Sequence, residues 1–410
     1  YEVHTQIGNK CLGAKINHKH VPISHILNNG DQVEILTAQS QKPSTKWLDI
    51  ISTSKARKQI REYLNEEKRA LELKGKELLQ AKNEPLNYFN KNSLIIIGLV
   101  VLGLFLYPFI SPSKFALHLL MMIFMHAVMS QSWNVLAGFS GQISLGHAIF
   151  FGIGAYASAY FYTKFQITPW VGIIIGIAIS AFVALLIGIP MLRLKGHYFA
   201  IATLLIGISF QVIFQRWSEV GGSAGLYVPI NRDSPWLSMQ FHKSKVSYYY
   251  ITLVFFIITF FLVWLLNRSK LGYRLKAIRD QSEAASSLGI HVSKYKVIAF
   301  IISAMIMAPM GSIYAQYVLI IDPNNTFSVD ISILVLLISV MGGVGNIWGP
   351  IIGSSILIPI SEFSRIYFGG TGRSIDLIIY GILIILICIF RPSGIVSLIP
   401  RSFREREKVK

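Results

Sequence analysis

From about residue 93 onward the chain is a succession of apolar runs separated by short polar breaks. They fall roughly at 94–110, 115–137, 142–162, 169–189, 197–215, 248–266, 294–320, 328–344, 348–362 and 375–390. Most approach the roughly 20 apolar residues that cross a bilayer. Segments at that depth must be helices, or be shielded by helices, because hydrocarbon offers their backbone no hydrogen bonds. The pattern therefore predicts about ten spans, with 348–362, interrupted by Pro350 and Pro359, read as re-entrant rather than spanning. Before residue 93 the pattern differs. YEVHTQI, CLGAKIN and QVEILTA are strand candidates, and LNNGD is a tight-turn signal. Residues 53–82 are charge-dense, with Ile60, Leu64, Leu71, Leu78 and Leu79 as the apolar positions of a solvated helix and Gly75 as its weak point. Asn83, Glu84 and Pro85 mark a linker.

Composition sharpens this division. The 410 residues are 53% hydrophobic and 14% charged, against about 25% charged in a soluble domain. Residues 1–92 hold 25 of the 58 charged side chains and residues 93–410 the other 33. The net charge of +18 splits as +5 and +13. In the apolar part the excess reads as loop charge rather than nucleic-acid binding. Loop 190–197 carries Arg193 and Lys195, and segment 267–296 carries seven basic residues against Asp280 and Glu283. The tail adds Arg391, Arg401, Arg404, Arg406, Lys408 and Lys410. With ten spans all three regions share one side, which the positive-inside rule makes cytoplasmic, along with both termini. Loop 216–247 then lies outside. Cys11 and Cys388 suggest neither a disulfide, a metal site nor a thiol enzyme. No secretory signal precedes the first apolar run.

One charged stretch interrupts the apolar series. Residues 271–290 read as a single amphipathic helix with Leu271, Leu275, Ile278, Ala285 and Leu288 along one side and Arg274, Lys276, Arg279, Asp280 and Glu283 largely elsewhere. It cannot readily span, since each buried charge costs roughly 2.5–3.5 kcal/mol. Two readings stand. The helix rests on anionic lipid, or its small-residue end, Ala284 to Gly289, docks into a partner's groove.

The sequence EAASSLG within it resembles the EAA loop of ATP-binding-cassette importer permeases, without that motif's usual proline-containing ending. WNVLAGFSGQISLGHAIFFGIGAYASAY, AIRDQSEAA, RLKGHYFAIATL, GGSAGL and MGGVGNIWGPIIGS together resemble the branched-chain amino acid permeases of that class across residues 93–400. The resemblance implies a mainly α, polytopic helix bundle that is not an enzyme. It implies coupling through 272–290, with Arg279, Asp280, Glu283, Ala284, Ala285 and Gly289 as the ATPase-coupling residues. It also implies partners: ATPase subunits that bind the ATP, a second permease subunit in a heterodimer, an extracytoplasmic solute-binding protein, and bilayer lipid. The absence of a phosphate-binding Gly-rich loop agrees with a chain that carries no cofactor itself. The expected setting is a bacterial inner membrane. The solute expected is a branched-chain or other small amino acid, with urea or short amides as the alternative. An ion-coupled transporter is disfavoured by the scarcity of membrane carboxylates.

The segment GFSGQISLGH places Asn134, Gln142, Ser144 and His147 at the edge of an apolar region, where they are candidates for a substrate pathway. The competing reading is close packing at Gly138, Gly141 and Gly146, with Gln142 bonding between helices. His126 reads as an interior histidine rather than a proton relay. Gly342, Gly343, Gly345 and Gly349 read as a tight turn with helix contacts, and Asp322 and Asp330 as solvated or capping residues. Trp217, Trp236 and Tyr248 to Tyr250 read as interfacial aromatics.

The N-terminal segment resembles a different family. HTQIGNKCLGAKIN, NGDQVEILT, PSTKWL and TSKARKQIR are similar to the TGS domain and linker of (p)ppGpp synthetase/hydrolases. That resemblance implies a truncated, β-grasp-like α+β unit at 1–52, a charged helix and linker at 53–85, the permease domain at 86–402 and a basic tail at 403–410. It implies tRNA or ribosome contact through His4, Lys55, Arg57 and Arg61, provided the segment folds. With the family's first hairpin missing before Tyr1, an open sheet edge and an incomplete core are expected. A fusion or recent gene junction is favoured over a tRNA-regulated transporter. Regulatory RNA binding by residues 1–82, with the membrane part as an anchor, is the competing function.

Overall fold

In the computed structural model the described residues are 5–80 and 91–368, apart from scattered loop positions, together with 381 and 394–398. The chain divides into two compact units, Tyr1–Asn87 and Tyr88–Lys410.

The first unit opens with a short helix, α1 (Thr5–Asn9), where a strand was expected. Ile7 is its one apolar side chain beside Gly8, too little to hold a pleated face. Strands β1 (Cys11–Ile16), β2 (Lys19–Val21) and β3 (Val33–Thr37) form an antiparallel sheet of order β2-β1-β3. The β1–β2 turn uses Asn17 and His18, both with positive φ (48° and 69°), the backbone that tight hairpins favour. The expected LNNGD turn is present, with the Asn28 amide donating to Asp31 at 2.9 Å and Gly30 at φ 97°. Helices α2 (Trp47–Ile50) and α3 (Ser54–Gln80) follow, and α3 runs unbroken through Gly75. Trp47, Ala56 and Ile60 are buried, while Leu12, Val33 and Ile35 on the sheet stay exposed.

The second unit is a helix bundle. Its long helices are α4 (Lys91–Ile110), α5 (Lys114–Ser140), α6 (Ala148–Phe165), α7 (Pro169–Met191) and α8 (His197–Arg216). A short α9 (Pro235–Ser238) precedes α10 (Val246–Arg268), and two short helices follow, α11 (Lys270–Asp280) and α12 (Ser282–Ser287). Then come α13 (Val292–Val318), α14 (Pro323–Thr326), α15 (Val329–Gly342) and α16 (Gly349–Phe368). Strands β4 (Leu226–Tyr227) and β5 (Ile320–Ile321) pair antiparallel. Among the described residues six helical stretches are long and apolar enough to cross a membrane. Nine of the ten expected apolar runs coincide with a helix, and 375–390, apart from Gly381, lies outside the described residues. The run at 348–362 is the first part of a 20-residue helix, α16, which is not among those six stretches.

The core is built on α5, α6, α7 and α13. Every residue of α5 from Ala127 to Ser140 is buried. Close backbone approach makes this possible. A Cβ on Gly154 would collide with the Ala308 carbonyl oxygen, and one on Gly311 with the Phe151 carbonyl oxygen. Such small-residue contacts drive helix association where no hydrophobic effect operates. His126 is an interior histidine as expected, its Nδ1 lying 2.8 Å from the Met122 carbonyl.

The two ends of the bundle are internally consistent. At one end β4 pairs with β5, and Gln240 donates to Gln316 at 3.3 Å, so loop 217–245 and loop 319–328 lie together. At the other end the C-termini of α5, α11 and α15 meet. One expectation about the first end changes. Tyr248 and Tyr249 are buried rather than interfacial, because their hydroxyls find interior carbonyls: Met239 and Gln316 for Tyr248, Leu104 for Tyr249. Asp322 caps α14 and Asp330 is exposed, as expected, while Ser328 caps α15. Trp217 and Trp236 remain exposed.

The packing makes a contrast measurable. Gly311→Val should remove most folded, membrane-inserted protein. Gly103→Val, on α4 with nothing within 4 Å of the new Cβ, should leave its amount unchanged. Size-exclusion profiles of detergent extracts report both.

Candidate functional site

The α5 helix stops at Ser140 because Gly141 takes a left-handed conformation (φ 72°), its amide donating back to Ala137. Residues 141–147 then run without helix until α6 begins. Burial alternates along the first part, with Gly141 and Ile143 exposed and Gln142 and Ser144 buried. The backbone of this break is satisfied by side chains from three helices. Trp133 Nε1 donates to the Ser144 carbonyl at 2.8 Å, and the Leu145 amide donates to Thr203 Oγ1 at 3.0 Å. The Ala148 amide donates to Ser332 Oγ at 2.9 Å.

His147 lies within a serine pair. Ser132 Oγ donates to the Ser303 carbonyl and Ser303 Oγ donates to the Ser132 carbonyl, both at 2.7 Å. Ser303 Oγ has spent its proton, so His147 Nε2, 2.5 Å away, must be the donor. That tautomer leaves Nδ1 as an acceptor. No partner for Nδ1 is present among the described residues, and the same holds for Gln142 Oε1 and Ser144 Oγ.

The four pathway candidates therefore separate. Asn134 is fully used in architecture. Its Nδ2 donates to the Asn346 carbonyl at 2.9 Å and its Oδ1 accepts from the Gly345 amide at 2.8 Å. Gln142, Ser144 and His147 each keep one buried polar atom unspent. Gln131, which the sequence reading missed, keeps both ends of its amide unspent in a cavity lined by Ala127, Val128, Phe256, Thr259 and Phe260. Its place in the polar cluster Ser130, Gln131, Ser132 and Asn134 within a membrane-length helix was the signal that could have found it.

The charged stretch differs from the expected single helix. Gln281 is extended (φ −158°, ψ 94°) and separates α11 from α12. Asp280 at the C-terminal end of α11 opposes that helix's dipole, whereas Glu283 in the first turn of α12 favours its own. Leu275, Ile278 and Ala285 are buried against the bundle, and Leu271 partly so. Leu288 is exposed, together with Gln281, Ser282, Glu283 and Gly289. Ala284 is intermediate. Arg279 turns inward, its Nη1 donating to the Gly138 carbonyl at 2.9 Å, while Asp280 stays exposed and accepts from Arg279 Nε at 2.9 Å. The expected turn is present, with Gly343 and Gly345 at positive φ and the Gly342 and Gly349 backbones in contact.

In the first unit Lys55, Arg57 and Arg61 lie on the exposed side of α3, and Arg57 Nη2 donates to the Ile51 carbonyl at 3.2 Å. His4 lies outside the described residues. Among the described residues no group of three or more His, Cys, Asp or Glu side chains is placed to hold a metal ion.

Residues 115–388 match the family described as "Branched-chain amino acid transport system / permease component". The chain belongs to that family. It is thus a multi-pass membrane permease of the ATP-binding-cassette importer type, whose family members are transporters and work with ATPase, permease and binding-protein partners. The high-affinity branched-chain amino acid transport system permease protein LivM of Salmonella typhimurium is 26% identical over 329 residues, covering 75% of this chain and 76% of that protein. LivM of Escherichia coli matches to the same extent. Residues 1–37 match the TGS domain. There a GTP pyrophosphokinase of Myxococcus xanthus is 43% identical over 79 residues, 19% of this chain and 10% of that protein. No solved structure matches.

The permease's Asn134 bridge is open to test. Asn134→Ala orphans the Gly345 amide and the Asn346 carbonyl, at about 1–3 kcal/mol for each buried group. Denaturation of the purified permease in detergent should show a loss of at least about 2 kcal/mol.

Proposed function

We propose that this chain is the permease subunit of an importer that carries branched-chain amino acids inward, driven by a separate ATPase docked on residues 281–289. The observation that supports docking is the direction in which α11 and α12 bury their apolar side. With Leu275, Ile278 and Ala285 packed into the bundle, little apolar face remains to rest in lipid. What is left outward is a tip of Gln281, Ser282, Glu283, Leu288 and Gly289, with nothing within 4 Å of the α-carbon substituent site of Gly289. A small, partly apolar knob of this kind suits a groove in a folded partner.

In this reading the end of the bundle where α5, α11 and α15 terminate is cytoplasmic, and both chain termini lie on that side. The opposite end, with the paired loops 217–245 and 319–328, receives the solute-binding protein. The ATP is held by the partner. Gln142, Ser144 and His147 border the solute's route, their unspent polar atoms taking the place of water for a small zwitterion, and a second permease subunit supplies the facing wall. Branched-chain amino acids are preferred over urea or short amides because the relatives' names specify them.

Glu283→Lys and Gly289→Trp should each reduce leucine uptake by membrane vesicles at least tenfold while leaving the amount of inserted permease unchanged. Uptake that survives both changes overturns the docking assignment. Uptake competed by urea but not by leucine, isoleucine or valine overturns the choice of solute.

A further inference from the structure

We propose that Arg279 is the positioning residue that fastens the docking tip to the membrane bundle, so that displacement of α11 and α12 is carried into the break after α5 and the turn before α16. The inference rests on the docking reading above and deepens it. Its sequence neighbourhood suggested a contact with the ATPase, yet the side chain points the other way and is 28% exposed.

Three segments meet at its guanidinium. The Gly138 carbonyl that accepts from Nη1 belongs to the last turn of α5, where helix carbonyls lack intrahelical donors and the dipole is negative. A cation is the natural partner there. Gly141, where the helix ends, lacks the side chain that would stand 3.4 Å from the Arg279 Cα and 3.2 Å from its Cγ. Gly345, at φ 80°, lacks one that would stand 2.6 Å from Nη1. The third side is closed by Asn134, which ties α5 to Gly345 and Asn346. Asp280 accepts from Nε and fixes the plane of the guanidinium. Lys276, one turn earlier, lies 5.6 Å from the centre of the Phe139 ring and presses the same helix against the same end of α5.

The consequence is mechanical. Glu283 and Gly289 stand four and ten residues after Arg279, and Gln142 and Ser144 stand four and six residues after Gly138. One charge-assisted hydrogen bond thus joins the outward tip to the stretch holding the unspent polar atoms. The planar fork matters, because Nε and Nη1 serve two acceptors at once, which an ammonium cannot do with the same geometry.

The test uses the assembled transporter, the permease with its ATPase and second permease subunit, in membrane vesicles. Three quantities are read: leucine uptake, ATP hydrolysis, and cross-linking of Ser282→Cys to the ATPase. Arg279→Gln should keep the cross-link while leucine carried per ATP hydrolysed falls at least tenfold. Arg279→Lys should lower that ratio at least threefold, and it decides the matter should the glutamine variant fail to insert. Lys294→Gln, exposed on the neighbouring start of α13, should leave the ratio unchanged. A ratio within twofold of the unaltered transporter in either Arg279 variant, with the cross-link present, overturns the fastening role alone. Loss of the cross-link in the unaltered Arg279 background overturns the docking reading and this inference with it.

Discussion

Inside a bilayer a backbone amide or carbonyl without a partner costs several kcal/mol, and the break at residues 141–147 is where this fold meets that constraint without a helix. The surrounding helices donate side chains to it, Trp133 from α5, Thr203 from α8 and Ser332 from α15. Each needs its helix at a set height and rotation. The relative placement of α5, α6, α8, α13 and α15 is therefore specified by hydrogen bonds, in a medium where apolar contacts alone discriminate poorly. Glycine supplies the complementary condition. The helix backbones come close enough for short polar side chains such as Ser132 and Ser303 to reach across.

Much of this was legible in the sequence, and for identifiable reasons. The apolar runs locate the helices because hydrocarbon permits one backbone solution at that depth. The structure brings the ends of α5, α11 and α15 together and gathers the 217–245 and 319–328 loops at the opposite end. What a periodicity could not show was direction. Leu271, Leu275, Ile278 and Ala285 mark an apolar side equally well for lipid, for an ATPase or for the chain's own bundle, and the third is what the structure presents. Likewise Arg279 shares a charged motif with Asp280 and Glu283 but spends its charge on a carbonyl 141 positions earlier.

The same limit explains the residues that changed role. Tyr248 and Tyr249 sit at the start of a span, where aromatic rings commonly mark the membrane surface. Their hydroxyls instead find carbonyls of a connecting loop and neighbouring helices, so the rings are interior. Asn134 was a pathway candidate for its place beside the polar segment GFSGQISLGH. Its partners are the backbone of a glycine turn more than 200 positions later, a pairing no local pattern encodes. Proline at 350 and 359 suggested a short run, yet α16 continues through Pro359. In a helix surrounded by others the freed carbonyl can be served by neighbours.

The α15–α16 turn has one further neighbour: Gly394 lies against Gly343, so close that a Cβ there would stand 2.5 Å from the Gly343 Cα. The polypeptide that covers the turn thus leaves the ribosome about 50 residues after the turn itself. At the usual pace of about 5–20 residues per second, the nascent permease spends several seconds with α5, α11 and the turn already synthesised but their cover still to come. A quality-control protease acting in that interval would meet an open glycine hinge, which the finished chain conceals.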